Sequence, residues 1–205
     1  MPYEIHITIS ISERDFGQEF IEKFKTVCKE LKVKPIVLDL EISSGNIKDV
    51  MTSSKIFGSI NNVHEEIDRI VSGLESKDFK VVREKIESAP WHPEAPSEVG
   101  DKMPENCYFE AHIGCIISSE EKSKLNELSK IAGAHLSKNA FKKYDGGKFV
   151  NMVTLRNYDC ISNDFILEVE GFSTLLKSGG ISFEKVETEF CLYDTKVSHD
   201  YLWLK

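Results

Sequence analysis

Two short segments of the chain place a glutamate and a histidine two residues apart, in the pattern of a β-strand. Residues 3–7 read YEIHI and are followed by Thr8, and residues 109–113 read FEAHI. In an extended strand alternate side chains point to the same face, so Glu4 shares a face with His6, and Glu110 with His112. Imidazole exchanges protons near neutral pH, and a neighbouring carboxylate can set its tautomer. The two segments are therefore candidate halves of one acid–base site.

Hydroxyl and basic residues occur in the segments that we expect to pair with these two strands. Hydroxyl groups donate hydrogen bonds to an anion, and Lys or Arg neutralises its charge. Together with a histidine as acid or base, such groups can hold and protonate a phosphate. The predicted catalytic residues are His6 and His112, and the predicted substrate-binding residues are Thr8, Thr52, Lys55, Thr154 and Arg156.

The alternation of hydrophobic residues with His6 and Thr8 over residues 5–9, echoed after a long interval, resembles the two-histidine phosphoesterases. Members of that superfamily are bilobal and carry one His-x-Thr/Ser strand motif in each lobe. The resemblance implies that His6 and His112 act as general base and acid on a 2′,3′-cyclic phosphate or a related phosphodiester, without a metal. The second motif reads His-Ile-Gly and lacks the hydroxyl, for which Thr154 is the candidate replacement.

A second interpretation of the same residues involves no catalysis. A histidine on an alternating strand is commonly a solvent-facing or a hydrogen-bonded interior residue, and Gly114 in place of the expected hydroxyl favours a ligand-binding or protein-interaction role. Residues 83–87 and 185–189 also alternate charged with other side chains. These charges could line a cleft that contains the two histidines, or they could form exposed cross-strand ion pairs.

The chain can be aligned with itself, which predicts an internal duplication. Residues 3–7 match 109–113, and residues 84–87 match 184–187. Four of the six prolines lie within residues 88–106, and prolines at this density disfavour regular structure. The predicted organisation is a first module at residues 1–88, a proline-rich crossover linker at 89–106 and a second module at 107–205.

Hydrophobic periodicity predicts the same order of elements, β-α-β-β-α-β, in both modules. Ser59 is the expected cap of one helix, Asp145-Gly146-Gly147 the expected turn of a hairpin, and Tyr201 and Trp203 are expected to pack the C-terminal tail onto a module. This order is typical of the ferredoxin-like fold. We therefore predict an α+β protein made of two ferredoxin-like modules, with antiparallel sheets covered by helices on one face.

Composition limits the classes of partner and the compartment. With 26 Lys and Arg against 34 Asp and Glu, the net charge of −8 argues against binding to a nucleic-acid polymer or an anionic membrane. Five scattered cysteines fit a reducing compartment better than a disulfide framework. We expect a soluble cytoplasmic protein that binds a small anionic ligand and uses no metal or other cofactor.

Overall fold

The computed structural model describes residues 1–12, 16–42, 45–143 and 148–200. The first six elements are β1 (Pro2–Ile9), α1 (Gln18–Leu31), β2 (Lys34–Ile42), β3 (Gly45–Phe57), α2 (Ile60–Glu75) and β4 (Val81–Ser88). The next six are β5 (Tyr108–Ile117), α3 (Lys122–Ile131), β6 (His135–Lys143), β7 (Phe149–Asn157), α4 (Ser162–Ser178) and β8 (Phe183–Asp194). A 3₁₀ turn, Val197–Asp200, follows β8.

The eight strands form one closed antiparallel barrel in the order β1-β3-β2-β6-β7-β5-β8-β4. In each half the first strand lies between the third and the fourth, so that β1 pairs with β3 and β4, and β5 with β7 and β8. The halves meet at two seams. At one seam β2 pairs with β6, and at the other β4 pairs with β8.

The predicted fold of two separate ferredoxin-like modules, each with its own sheet, is wrong because the two sheets are one barrel. At the β2–β6 seam Leu38 lies opposite Asn139, and at the β4–β8 seam Lys85 lies opposite Asp194. A strand at the edge of an open sheet has unpaired N–H and C=O groups, and closure pairs them. These groups are the same in every sequence, so periodicity does not reveal which edges join.

The two faces of each strand carry different residues, and this difference decides what lies inside the barrel. In β1, Ile5 and Ile7 are fully buried in one hydrophobic cluster with Phe24 of α1 and Ile67 of α2. In β5 the apolar face packs in the same way against α3 and α4. The helices therefore cover the outside of the barrel, and the polar face of each strand points into its interior, which we call the lumen. In β1 the residues of that face are Glu4, His6 and Thr8.

Local sequence features explain both the irregular structure of the segment between the halves and the position at which α2 begins. Residues 89–106 contain no helix or strand. The hydroxyl of Tyr3 lies 3.3 Å from Nε2 of His92, and Ala95 is buried in the core of the second half. Ser59 caps α2 with Asn62 in a reciprocal capping box, as predicted.

Two sequence-based expectations lie outside the described residues: the turn at residues 145–147 and the packing of the tail at residues 201–205. In the part of the chain that the structure describes, no helix is long and apolar enough to cross a membrane.

Candidate functional site

His6 and His112 line the same cavity, which lies in the lumen and has a volume of about 240 Å³. His6 reaches it from β1 and His112 from β5. Two facts bring them together. Each histidine lies on the face of its strand opposite the apolar core, and closure of the barrel turns both of these faces inward.

The imidazole of His6 is held by carboxylates. Its Nε2 lies 3.0 Å from Oε2 of Glu87 and 3.7 Å from Oε1 of Glu4. Burial alone would lower the pKa of His6, but the hydrogen bond and the charge of Glu87 outweigh it, so the pKa is raised above its usual value. Nδ1 is buried and has no hydrogen-bond partner among the described residues. The ring is therefore anchored on one side only.

The imidazole of His112 is anchored on both sides. Its Nδ1 lies 3.1 Å from Oγ1 of Thr154, and its Nε2 lies 3.4 Å from Oε2 of Glu110. Burial opposes the charged form of His112, but the Glu110 carboxylate outweighs it and raises the pKa to about 9. The ring is therefore mostly protonated at neutral pH, where it donates a hydrogen bond to Thr154 and forms an ion pair with Glu110.

Lys85 joins the two histidine–carboxylate pairs. Its ammonium group contacts both Glu87 and Glu110. Burial would raise the pKa of each carboxyl group, but for Glu87 the charges of Lys85 and His6 reverse this effect, and for Glu110 those of Arg156 and Lys85 do, so both pKa values are lowered. A continuous polar network therefore runs from His6 through Lys85 to His112.

One group of three side chains in the lumen has the chemistry of a metal site. Ligand atoms of Glu87, Glu110 and His112 lie within 4.8 Å of one another. The ammonium group of Lys85, however, contacts both carboxylates and already supplies the cation that they need. A metal ion would have to displace a buried lysine, so the donor set does not fit a resident metal.

At one end of the lumen four charged residues form a buried cluster, which we call the closed end: Arg83, Arg156, Asp194 and Asp200. The Arg83 guanidinium donates to Asp194 at 2.6 and 2.9 Å and to Asp200 at 2.8 and 3.0 Å. Arg156 donates to Asp200 at 2.7 Å. Asp200 belongs to the 3₁₀ turn after β8, so the C-terminal segment seals this end.

The other end of the lumen, which we call the open end, has two ion pairs that are more exposed to solvent. They are Glu4 with Lys55, and Glu187 with Lys185. Lys55 Nζ lies 2.8 Å from Oε2 of Glu4. Along β1, Glu4 faces Lys55 whereas Thr8 faces Arg83. Four residues of strand span roughly 13 Å, so the two clusters lie at opposite ends of the lumen.

Several polar groups of the cavity lining lack a partner among the described residues, and Glu189 and Thr8 are two of them. The carboxyl group of half-buried Glu189 forms no hydrogen bond or ion pair with any described residue, and neither does the hydroxyl group of Thr8, a residue that is only 2% exposed. Burial and the nearby charge of Glu87 raise the pKa of Glu189 to about 7. The carboxyl group of Glu189 can therefore gain or lose a proton near neutral pH.

The structure brings most of the predicted binding residues to the lumen, but with different partners. Thr154 contacts His112, and Thr8 lines the cavity. Lys55 and Arg156 are engaged with Glu4 and Glu110 respectively.

Thr52 does not reach the cavity. It lies opposite Ile7 rather than His6, so its side chain is on the helix-facing side of the strand. The residue opposite His6 is Ser53, which donates to Glu4 at 2.7 Å.

The alternation of charges over residues 83–87 and 185–189 offered Glu189 as a residue that could line the cleft, and these residues do line the lumen. Sequence reasoning missed Asp194 and Asp200. For Asp200 no comparable signal exists, since it enters the site from a short turn beyond the last strand.

No protein-family model and no curated protein matches the chain. Among solved structures, the small subunit of acetolactate synthase from Thermotoga maritima is 12% identical, with 95% of this chain and 96% of that chain covered and a TM-score of 0.31. An unknown protein from Galdieria sulphuraria is 11% identical, with 92% and 97% covered and a TM-score of 0.27.

Likeness at these TM-scores carries no conclusion about function. None of the reported matches bears on the resemblance to the two-histidine phosphoesterases. Catalysis by His6 and His112 stays a prediction.

Proposed function

We propose that the chain binds a small polar molecule in the lumen of its barrel. The observation that supports this most directly is the lining of the cavity, where Thr8 and Glu189 have no hydrogen-bond or ion-pair partner among the described residues and two histidines face the same space. An unpaired polar group in a protein interior costs about 1–3 kcal/mol, so a ligand that supplies the missing hydrogen bonds gains affinity from them. Pockets that bind small molecules commonly have a few such convergent polar groups.

The composition of the lumen supports the proposal on energetic grounds. An eight-stranded barrel is just wide enough to be filled by side chains or to hold one small ligand. Apolar side chains would fill it at lower cost than a network of Glu, Lys and His, because buried ion pairs barely offset their own desolvation. Polar residues that weaken a core without stabilising the fold are expected at functional sites.

The size of the cavity limits what can bind. At roughly 30 Å³ per molecule in the liquid, about eight water molecules would fill 240 Å³. Pockets for drug-sized ligands are usually about 300–1,000 Å³. The cavity therefore suits a compact molecule rather than a nucleotide or a polymer.

A lumen-filling substitution tests the proposal. An added Cβ at Gly114 meets only Val150 Cγ1, at 3.9 Å, so Gly114→Met should be accommodated while its side chain fills the cavity. The matched control is Gly171→Met, on the exposed face of α4, where an added Cβ meets nothing within 4 Å. The probes are n-butylamine, n-butanol and butyrate at millimolar concentration, followed by ligand-observed NMR.

We expect at least one probe to bind the wild type and the Gly171→Met variant and to lose binding to Gly114→Met. No binding of any probe to the wild type, or equal binding to both variants, contradicts the proposal. A parallel assay with 2′,3′-cyclic AMP tests the catalytic alternative. Turnover that disappears in His6→Ala and in His112→Ala would replace binding with catalysis as the function of the lumen.

A further inference from the structure

The charges of the lumen indicate which kind of small molecule fits it. Among the described residues, the cavity lining contains eight carboxylate side chains and five lysines and arginines. The two histidines, whose pKa values are raised, reduce the excess of negative charge without removing it. An anionic ligand would therefore enter a lumen that already carries surplus negative charge.

The buried arginines and Lys85 are not free to hold an anion. Arg83 is bound by Asp194 and Asp200, Arg156 by Glu110 and Asp200, and Lys85 by Glu87 and Glu110. The remaining lysines of the lining, Lys34 and Lys185, are exposed. To bind a phosphate or carboxylate, the interior would have to break a buried ion pair, which costs more than an exposed contact returns.

Glu189 is a carboxyl group that a ligand could satisfy. It lies directly opposite Glu110 on the neighbouring strand, lines the cavity, and forms no ion pair or hydrogen bond with any described residue. The unpartnered hydroxyl of Thr8, in a residue that is 98% buried, lines the same cavity and offers a second contact. An ammonium group is small, carries three donors and pairs with a carboxylate through charge-assisted hydrogen bonds.

We infer that the ligand of the lumen carries a positively charged amino group and that the carboxylate of Glu189 binds it. This inference rests on the proposed function, because it names the class of molecule that the same cavity binds. A divalent metal ion is the less favourable cation, since it would compete with Lys85 for the carboxylates of Glu87 and Glu110.

Three probes of equal chain length separate the ligand classes: n-butylamine, n-butanol and butyrate. We expect n-butylamine to bind the wild type about tenfold more tightly than n-butanol, which is the usual gain from a charged hydrogen bond, and butyrate to bind most weakly. Glu189→Gln should bind n-butylamine no more tightly than n-butanol. The control Glu65→Gln, on the exposed face of α2, should keep the wild-type ranking.

Glu189→Asp keeps the carboxylate and makes the test independent of folding defects in a single variant. It should retain part of the preference for the amine. Tighter binding of butyrate than of n-butylamine, or an unchanged amine preference in Glu189→Gln, overturns the inference. If all three probes bind equally and Gly114→Met abolishes their binding, the lumen is a binding site but the ligand class is wrong. If no probe binds, the proposed function itself fails.

The pH dependence of binding is a second measurement. The pKa of Glu189 is raised to about 7, whereas n-butylamine stays protonated throughout, so affinity for the amine should fall about fivefold between pH 7 and pH 6. Affinity for n-butanol should not follow this curve. The other charged groups that act on Glu189 are Glu4 of β1, Lys55 of β3, Lys85 and Glu87 of β4, and Glu110 and His112 of β5. Repeating the titration in Glu189→Gln separates its effect from theirs.

Discussion

The two ends of the lumen contain the same kind of ion pair in very different surroundings. Glu4 lies opposite Lys55 across β1 and β3, and Glu110 lies opposite Arg156 across β5 and β7. The side chain of Lys55 is 58% exposed, whereas that of Arg156 is 4% exposed. The difference arises from Asp200, which closes over Arg156 from the C-terminal turn and has no counterpart over Lys55 among the described residues.

This contrast shows how one arrangement of strands can serve both stability and access. At the closed end the charges are desolvated and fully paired, so each of them depends on the others. At the open end the ion pairs are screened by water and contribute little to stability. A ligand would therefore enter past Glu4 and Lys55, and the closed end would hold the barrel together.

The largest expected effect on the free energy of unfolding comes from removing a cation at the closed end, and the same change at the open end is its control. Arg83→Met leaves the carboxylates of Asp194 and Asp200 buried with one partner fewer, and we expect it to lower the free energy of unfolding by about 3–5 kcal/mol. Lys55→Met, the matched variant at the open end, should change it by about 0–1 kcal/mol. Urea denaturation monitored by circular dichroism measures both. Similar losses in the two variants would mean that the ends do not differ in energetic role.

Protonation of His112 is expected to have a smaller effect on the free energy of unfolding. His112 links the lumen to the closed end through Glu110. Its pKa is about 9 in the folded protein and near 6.5 in the unfolded chain. The folded state therefore binds the proton more tightly, and the resulting stability, about 1–3 kcal/mol, is complete below pH 6.5 and is lost as the pH rises through 9.

His112→Gln keeps a donor for Glu110 but does not titrate, so its unfolding free energy should change less between pH 7 and pH 9.5 than that of the wild type. His64→Gln, on the exposed surface of α2, should behave as the wild type does. Denaturation at a series of pH values is the measurement. If the unfolding free energy of His112→Gln changes with pH as that of the wild type does, the Glu110 contact does not raise the pKa of His112.

Ionisation of Glu189 is expected to have the smallest effect on the free energy of unfolding. It lowers stability, whereas protonation of His112 raises it. Its pKa is about 7 in the folded protein and near 4.5 in the unfolded chain, so ionisation between these values favours the unfolded state. Glu189→Gln should therefore stabilise the protein by about 1–2 kcal/mol at pH 8 and should have little effect at pH 4.5. Glu187→Gln, which removes a carboxylate paired with Lys185 at the open end, should change stability by no more than about 0.5 kcal/mol. A loss of stability in Glu189→Gln at pH 8 would mean that its carboxylate has a partner in the folded protein.

Local patterns predicted the individual strands better than their partners. The alternation in β1 correctly separated Ile5 and Ile7 from Glu4 and His6, because side chains in a strand alternate whatever lies next to it. Thr52 was predicted to bind the substrate but lies opposite Ile7, one position out of register with His6. A shift of one residue moves a side chain to the other face, and register depends on neighbouring strands and turns rather than on the strand itself.

The sequence by itself determined which residues form strands and helices, and which face of β1 and β5 is polar, since both follow from short-range periodicity. Only the tertiary structure decided that the polar faces enclose a common lumen. That outcome depends on backbone pairing at the β2–β6 and β4–β8 seams, which carries no side-chain signature. The tertiary structure also decided that Asp200 seals one end, because a buried contact between Asp200 and Arg83, 117 residues earlier, has no local pattern. The histidines were therefore visible in the sequence, but their shared cavity was not.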